Sequence, residues 1–236
     1  MSFNSGFKNY KNKHLGESAF VIGTGPSYLK FEEYYNKNKN QFKNIIKIGC
    51  NSLVYSNIKM DYFFIGDKNT GYGSPKCFLK NIETYANYKS NITNFARSKW
   101  KCEPYSLIRK NKNYVPYLTN VDDEYFPIDI SKEGINRRGS ISMDMMQFAL
   151  YSGFKKIYLV GHDCNYELKN SLGNNMSHFN ENCYFGKNQD VSKKLLMMWN
   201  NLNLFIKKNY TDVEILSVNP ESLKLFKETK LKDIIC

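Results

Sequence analysis

The chain has 236 residues, 42% of them hydrophobic and 24% charged. That is enough apolar material for one large α/β domain, and it excludes a disordered chain or a small disulfide-stapled scaffold. Lys and Arg number 34 against 22 Asp and Glu, a formal net charge of +12, but the lysines are dispersed among Asn and Tyr, as in YYNKNKNQFKN. A compositional bias therefore accounts for the charge ahead of a specific nucleic-acid partner, and no RNP-type, KH or OB pattern is visible.

Residues 1–17 read as a loose, polar N-terminal extension, and 18–236 as a single domain. The segment ESAFVIGTGPSYLKF gives a buried strand from Ala19 to Ile22, a glycine turn and a helix start. IIKI at 45–48 and MDYFFI at 60–65 are further strands, with a short helix at LVYSNI between them. This alternation is that of βαβ units and a parallel sheet. Residues 68–135 hold short apolar pieces among Asn, Lys and Pro and are expected to form an irregular mid-chain insertion or lid. SISMDMMQFALYSGF carries apolar residues at helical spacing, with Gly153 as its C-cap. IYLV at 157–160 is a strand, 190–208 an amphipathic helix, VEILSV at 213–218 a last strand, and ESLKLFKE a final short helix. The expected fold class is α/β, a Rossmann-like, mostly parallel sheet flanked by helices.

Ligands of open parallel sheets bind outside the carboxyl ends of the strands. Five such ends carry small or polar groups: Gly23 to Ser27, Gly49 to Ser52, Gly66 to Asn69, Gly161 to Asp163, and Ser217 to Pro220. In the first turn, GTGPS, glycines let the backbone approach an anion, and the helix that follows offers N–H groups. Ser27 either contacts phosphate or caps that helix. The pattern is neither GxGxxG nor a Walker loop. Asn51 hydrogen-bonds a base or ribose, or closes a turn. Asp67 and Asp163 hold a metal, act as a base, or cap a helix. Arg137 and Arg138 precede the 141–152 helix, where Arg binds phosphate bidentately or is simply solvated. His162 and His178 are two of three His, and His178 in its loop suits an acid, base or phosphate donor. The six Cys (Cys50, Cys77, Cys102, Cys164, Cys183, Cys236) form no CxxC pair, so free thiols are expected.

In order, FVIGTGPSYL, IKIGCNSLVYSNIKMDYFFIGD, RRGSISMDMMQFALYSGFKKIYLVGHDCNY, MSHFNENCYFGK and ILSVNPESLKLF resemble the 6-hydroxymethylpterin diphosphokinase MptE-like superfamily. This superfamily is shared with motility-associated (Maf) flagellin glycosyltransferases, and the same order is similar to bacterial sialyltransferases that use CMP-sialic acid. The resemblance covers 19–226 in blocks with the middle unmatched, and its most specific part is Gly139 to Tyr166 followed by SHF and YFG. A Maf protein is larger than this chain.

The resemblance implies a transferase with its nucleotide at the strand ends. The glycine turn and the Asn that hold CMP match Gly23, Gly25, Pro26, Ser27 and Asn51, and Asp67, Ser140 and Asp163 complete the expected pocket. The Arg before the long helix matches Arg138, and an aromatic after the strand matches Tyr166. The general-base His matches the Ser177-His178-Phe179 step, although no second His follows. One implied reaction is sugar transfer from a CMP-type donor to an acceptor hydroxyl in surface glycan assembly, with no cofactor. The other is diphosphate transfer from ATP to a pterin alcohol, which calls for Mg²⁺ at Asp67 and Asp163. A non-catalytic nucleotide-binding module is the third. The first residues lack a secretory apolar stretch and no run of 18 apolar residues exists. The expected location is therefore cytoplasmic, with peripheral membrane contact open to the basic surface.

Overall fold

The computed structural model describes residues 6–66, 83–97, 110, 112–120, 125–136, 140–164, 189–218 and 223–234. Its centre is β1 (Ser18–Ile22), whose five residues alternate between two apolar layers. Ala19 and Val21 face one core, and Phe20 and Ile22 the other. Burial on both faces is what a near-continuous apolar run requires, and it places β1 inside a parallel sheet. β2 (Ile46–Cys50) and β3 (Tyr62–Ile65) follow the same logic.

The strands pair in parallel, with Val21 opposite Ile48 and Leu159, and Cys50 opposite Phe64. β4 (Thr93–Arg97) and β5 (Tyr114–Tyr117) extend the sheet beyond β3. β6 (Thr119–Asn120) and β7 (Ile135–Asn136) make a separate two-stranded pair. β8 (Lys156–Val160), β9 (Glu214–Val218) and β10 (Lys227–Thr229) lie on the other side of β1. The eight-stranded order is β10-β9-β8-β1-β2-β3-β4-β5. Strand succession reverses between β1 and β8, which defines the topological switch point.

Helix α1 (Tyr28–Lys37) covers the Phe20 face through Tyr28, Phe31 and Tyr35. A short α2 (Ile130–Glu133) is capped by Asp129, whose side chain accepts the Ser131 N–H. α3 (Ile141–Tyr151) lies on the opposite face, and every residue from Ser142 to Tyr151 is buried. A helix apolar almost all round belongs inside the core. Ser140 caps it by accepting the Ser142 N–H at 3.2 Å, and Gly153 at φ +86° ends it. α4 (Gln189–Asn209) packs Trp199, Leu202 and Ile206 onto the same core. No described helix is long and apolar enough to cross a membrane.

Three expectations are corrected. The described part of the N-terminal extension, residues 6–17, is not loose. Phe7 lies 5.1 Å from Phe95 and 5.3 Å from Tyr117, ring centre to ring centre, and Tyr10 bonds Thr93 Oγ1 at 2.7 Å. His14 stacks on Phe154 at 4.6 Å and shares a 2.6 Å hydrogen bond with the Tyr62 hydroxyl. Aromatic burial outweighs the polar composition of this segment. The mid-chain, expected to be an irregular insertion, supplies β4 and β5 to the main sheet. The helix expected at ESLKLFKE is absent over its described part, where Lys227–Thr229 pair with β9 instead. An edge strand there satisfies the outer backbone groups of β9, which a helix would leave open.

Candidate functional site at the strand carboxyl ends

The loops after β1 and β8 meet at the switch point. Gly23 donates its N–H to the Val160 carbonyl at 2.7 Å, and Gly25 donates to that of Gly161 at 2.8 Å. These glycines serve loop-to-loop packing. A Cβ on Gly23 would stand 2.5 Å from the Gly161 oxygen, and one on Gly25 2.5 Å from Asp163 Oδ2.

The anion cradle expected here is filled from within. Asp163 Oδ2 accepts the Ser27 N–H at 2.8 Å. The Tyr28 and Leu29 N–H groups bond the Gly25 and Pro26 carbonyls. Ser27 therefore does not cap α1 with its hydroxyl; Asp163, reaching across from β8, places a carboxylate at the helix N-terminus, where it is favoured by the dipole. A phosphate at this turn would face that carboxylate. The same commitment makes Asp163 a poor Mg²⁺ ligand, since one oxygen already serves the turn. No group of three His, Cys, Asp or Glu able to hold a metal occurs among the described residues.

Asn51 starts a short 3-10 helix (Asn51–Tyr55) immediately after β2, in the left-handed region at φ +45°. Its Oδ1 accepts the Gly66 N–H at 3.1 Å, tying the end of β2 to that of β3. Asn is among the few non-glycine residues that tolerate this conformation. Two hydroxyls follow the same strand ends, Ser27 in the loop after β1 and Ser52 next to Asn51. Ser27 Oγ and Ser52 Oγ are buried and have no hydrogen-bond partner among the described residues.

The Gly66 peptide is held from its other side by Arg97, at the end of β4, whose Nη1 donates to the Gly66 carbonyl. The remaining guanidinium nitrogens are spent on Asp144 of α3, Nε at 3.0 Å and Nη2 at 2.8 Å. Tyr117 of β5 donates its hydroxyl to the same carboxylate oxygen at 2.6 Å. Burial works against the charge on Arg97, but Asp144 and Tyr117 outweigh it and hold the guanidinium above its ordinary pKa. Burial, reinforced by Asp144, likewise pushes the Tyr117 hydroxyl well up, so it stays a donor. Sequence reading missed this cluster because its members are 47 and 27 residues apart.

His162 is structural. Its Nε2 faces the Val21 carbonyl at 3.1 Å and must carry the proton, which leaves Nδ1 to accept from the Ser142 hydroxyl at 3.1 Å. The ring meets Trp199 edge-on at 5.2 Å. Burial lowers its pKa from 6.5 to about 4. Between those values the unfolded chain binds the extra proton, so stability rises with pH there. The contribution is complete above about pH 6.5 and lost as pH falls towards 4. Urea unfolding should lose about 3 kcal/mol over that interval, and His162→Gln should flatten this part of the profile. An unaltered slope in the variant would assign the pH dependence elsewhere. Burial pushes the thiol of Cys164, at φ +52°, up to about 12, which disfavours its thiolate.

Of the residues expected at the site, Gly23, Gly25, Pro26, Ser27, Asn51, Ser140 and Asp163 lie among those described. The structure brings the glycine turn and Asp163 together, while Asn51 joins Gly66 and Ser140 serves α3. Asp67, Arg138, Tyr166 and His178 lie outside the described residues.

An open, all-parallel α/β sheet with polar strand ends is the class this architecture defines. The sequence matches no protein-family model, and no curated protein is detectably similar to it. Among solved structures, it is similar to the Campylobacter jejuni sialyltransferase CstII in complex with cytidine-5′-monophosphate. Identity is 16% over 91% of this chain and 85% of that one, with a TM-score of 0.45. The same enzyme in complex with CMP-3FNeuAc gives 16% identity over 93% and 88%, again with a TM-score of 0.45. At this distance the likeness concerns the course of the chain and assigns neither residues nor a reaction.

Proposed function

We propose that this chain is a nucleotide-dependent transferase, a glycosyltransferase that moves a sugar from a CMP-type donor to an acceptor hydroxyl. The observation that carries the reading is two buried hydroxyls without a hydrogen-bond partner among the described residues, Ser27 after β1 and Ser52 after β2, the latter next to Asn51. Buried polar groups without partners are uncommon, and each asks for a ligand, a water or a stored strain to account for it. Hydroxyls and an amide suit the neutral, hydrogen-bonding part of a nucleotide. Asp163 at the glycine turn repels the charged part. The nucleoside therefore takes the β1 and β2 ends, and the phosphate points towards Arg138, ahead of α3.

In the reaction the bond between the anomeric carbon and the phosphate oxygen breaks, and the acceptor oxygen bonds that carbon. His178 takes the hydroxyl proton, Arg138 offsets the charge left on the nucleotide phosphate, and Tyr166 lines the sugar side. The block resemblance to MptE-like and Maf proteins supports the same class. A role in surface glycan assembly rests on that resemblance alone.

Thermal-shift titration with CMP, CDP, UDP, GDP and ATP, each with Mg²⁺ and with EDTA, tests this directly, because a ligand bound only by the native state raises Tm. The expected result is metal-independent stabilisation by CMP. Ser27→Ala should leave the ligand-free protein as stable as before, since it removes an unsatisfied hydroxyl, and should shrink the CMP-induced shift. Stabilisation by ATP only with Mg²⁺ would replace this reading with diphosphate transfer. Silence from every nucleotide would remove it.

A further inference from the structure

Eight large hydrophobic side chains are conspicuously exposed among the described residues, and four of them are Tyr125, Ile128, Met197 and Leu204. Single exposed apolar residues are ordinary, but a cluster is not. Ile128 and Leu204, 58% and 57% exposed, line one groove of about 500 Å³ with Tyr125, Phe126, Phe205 and Lys208. Met197, 59% exposed, lies two turns before Leu204 on the same outward stripe of α4, opposite the buried Trp199, Leu202 and Ile206.

The charges on this stripe of α4 have one sign. Lys193, Lys194, Lys207 and Lys208 are exposed at its two ends, and no Asp or Glu occurs from Lys193 to Asn209. The adjoining carboxylates are already engaged. Asp129 accepts from Ser131 and pairs with Lys11 at 3.5 Å and Lys132 at 3.8 Å, and Glu133 accepts from the Tyr125 hydroxyl at 2.9 Å.

We propose that this face, the outer stripe of α4 with the Tyr125–Ile128 edge, docks the protein onto an anionic lipid bilayer. Apolar side chains at the centre enter the headgroup boundary, while lysines at both ends meet lipid phosphates and carboxylates. Nucleic acid fits less well, because the centre offers methyl and thioether groups where phosphates need donors. A second copy of the chain would bring the same lysines against themselves. The strands are parallel, so α4 runs back from their carboxyl ends. Leu204 and the lysines beyond it therefore lie towards the opposite edge. The proposal is independent of the transferase reading.

Co-sedimentation of the full chain with vesicles tests it. Vesicles of phosphatidylcholine with about 30% phosphatidylserine should retain the protein at least about tenfold better than phosphatidylcholine alone, and about 0.5 M salt should release most of it. Met197→Ser/Leu204→Ser should cut retention about tenfold without lowering Tm, because both side chains are already in water. Lys207→Gln/Lys208→Gln should weaken retention and its salt dependence. Equal retention by both vesicle types would overturn the proposal. So would undiminished retention of the Met197/Leu204 variant, which reduces binding to diffuse charge. A dimer that dissolves in that variant, without vesicle binding, would make the face an interface between copies.

Discussion

Asp144→Ala is expected to cost about 3–5 kcal/mol of unfolding free energy, because it leaves the Arg97 guanidinium buried without a counter-charge. Arg97 and Asp144 side chains are 4% and 0% exposed, so water cannot take the place of the carboxylate. Tyr117 also loses its acceptor, and each such orphan adds to the penalty. A domain of this kind is stable by only about 5–15 kcal/mol, so the variant can fall below the level at which it accumulates folded. Arg97→Met/Asp144→Leu is the companion that keeps the idea testable. Removing both charges should cost less than the sum of the single changes by about 0.5–3 kcal/mol, read from denaturant midpoints at constant slope. Strict additivity would mean that the two groups do not sense each other. The consequence reaches the candidate site. Arg97 holds the Gly66 carbonyl while Asn51 holds its N–H, so the cluster fixes the direction in which the chain leaves β3 towards Asp67.

Several strands are plain in the sequence, and the reason is their place in the sheet. β1, β2, β3, β8 and β9 are interior strands, and burial on two faces gives the apolar runs AFVI, IIKI, YFFI, IYLV and EILSV. β5 and β10 are the edges. An edge tolerates Pro116 in YVPY and the charges of KET, which discourage further pairing. Those same residues disguise both segments as loops. β4, TNFAR, hides for a different reason: its Arg is neutralised by a partner that no local pattern reveals. In the N-terminal segment Phe7, Tyr10 and His14 are interleaved with Lys8, Lys11 and Lys13, so composition reads as solvated while every third or fourth residue points inward.

At the site, position was more legible than role. The glycine turn, Asn51 and Asp163 gather at the carboxyl edge because βαβ chaining puts them there. What each one does depends on distances across the switch point. Ser27 and Asp163 are 136 residues apart, yet the Asp163 carboxylate supplies the cap that was one of the two readings of the Ser27 hydroxyl. A sequence pattern such as GTGPS marks a place where backbone must come close, without saying whether an anion or another loop comes close to it. Here it is the β8 loop.

Gly23→Ala is where that distinction becomes measurable. A phosphate cradle would leave the ligand-free protein indifferent to a methyl group at this position. The observed packing does not, since the new Cβ would stand 2.5 Å from the Gly161 carbonyl oxygen and 2.8 Å from His162 Nδ1. The obstacle is backbone on one side and a ring pinned by Ser142 and Val21 on the other, so relief demands that the β1 and β8 loops part. Overpacking of this kind costs about 1–3 kcal/mol. Gly161 cannot easily yield, because it sits at φ +67° with its own position 2.6 Å from the Gly23 oxygen once a Cβ is drawn on it. Displacement of His162 should also disturb Trp199, whose indole it meets edge-on, so a change in tryptophan emission should accompany the lower denaturant midpoint. Gly16→Ala is the control: its Cβ would meet nothing within 4 Å, so only the cost of φ +85° remains, about 1–2 kcal/mol with unchanged emission. If Gly23→Ala kept wild-type stability and emission, the two loops would not be in contact, and the turn would again be open to a phosphate.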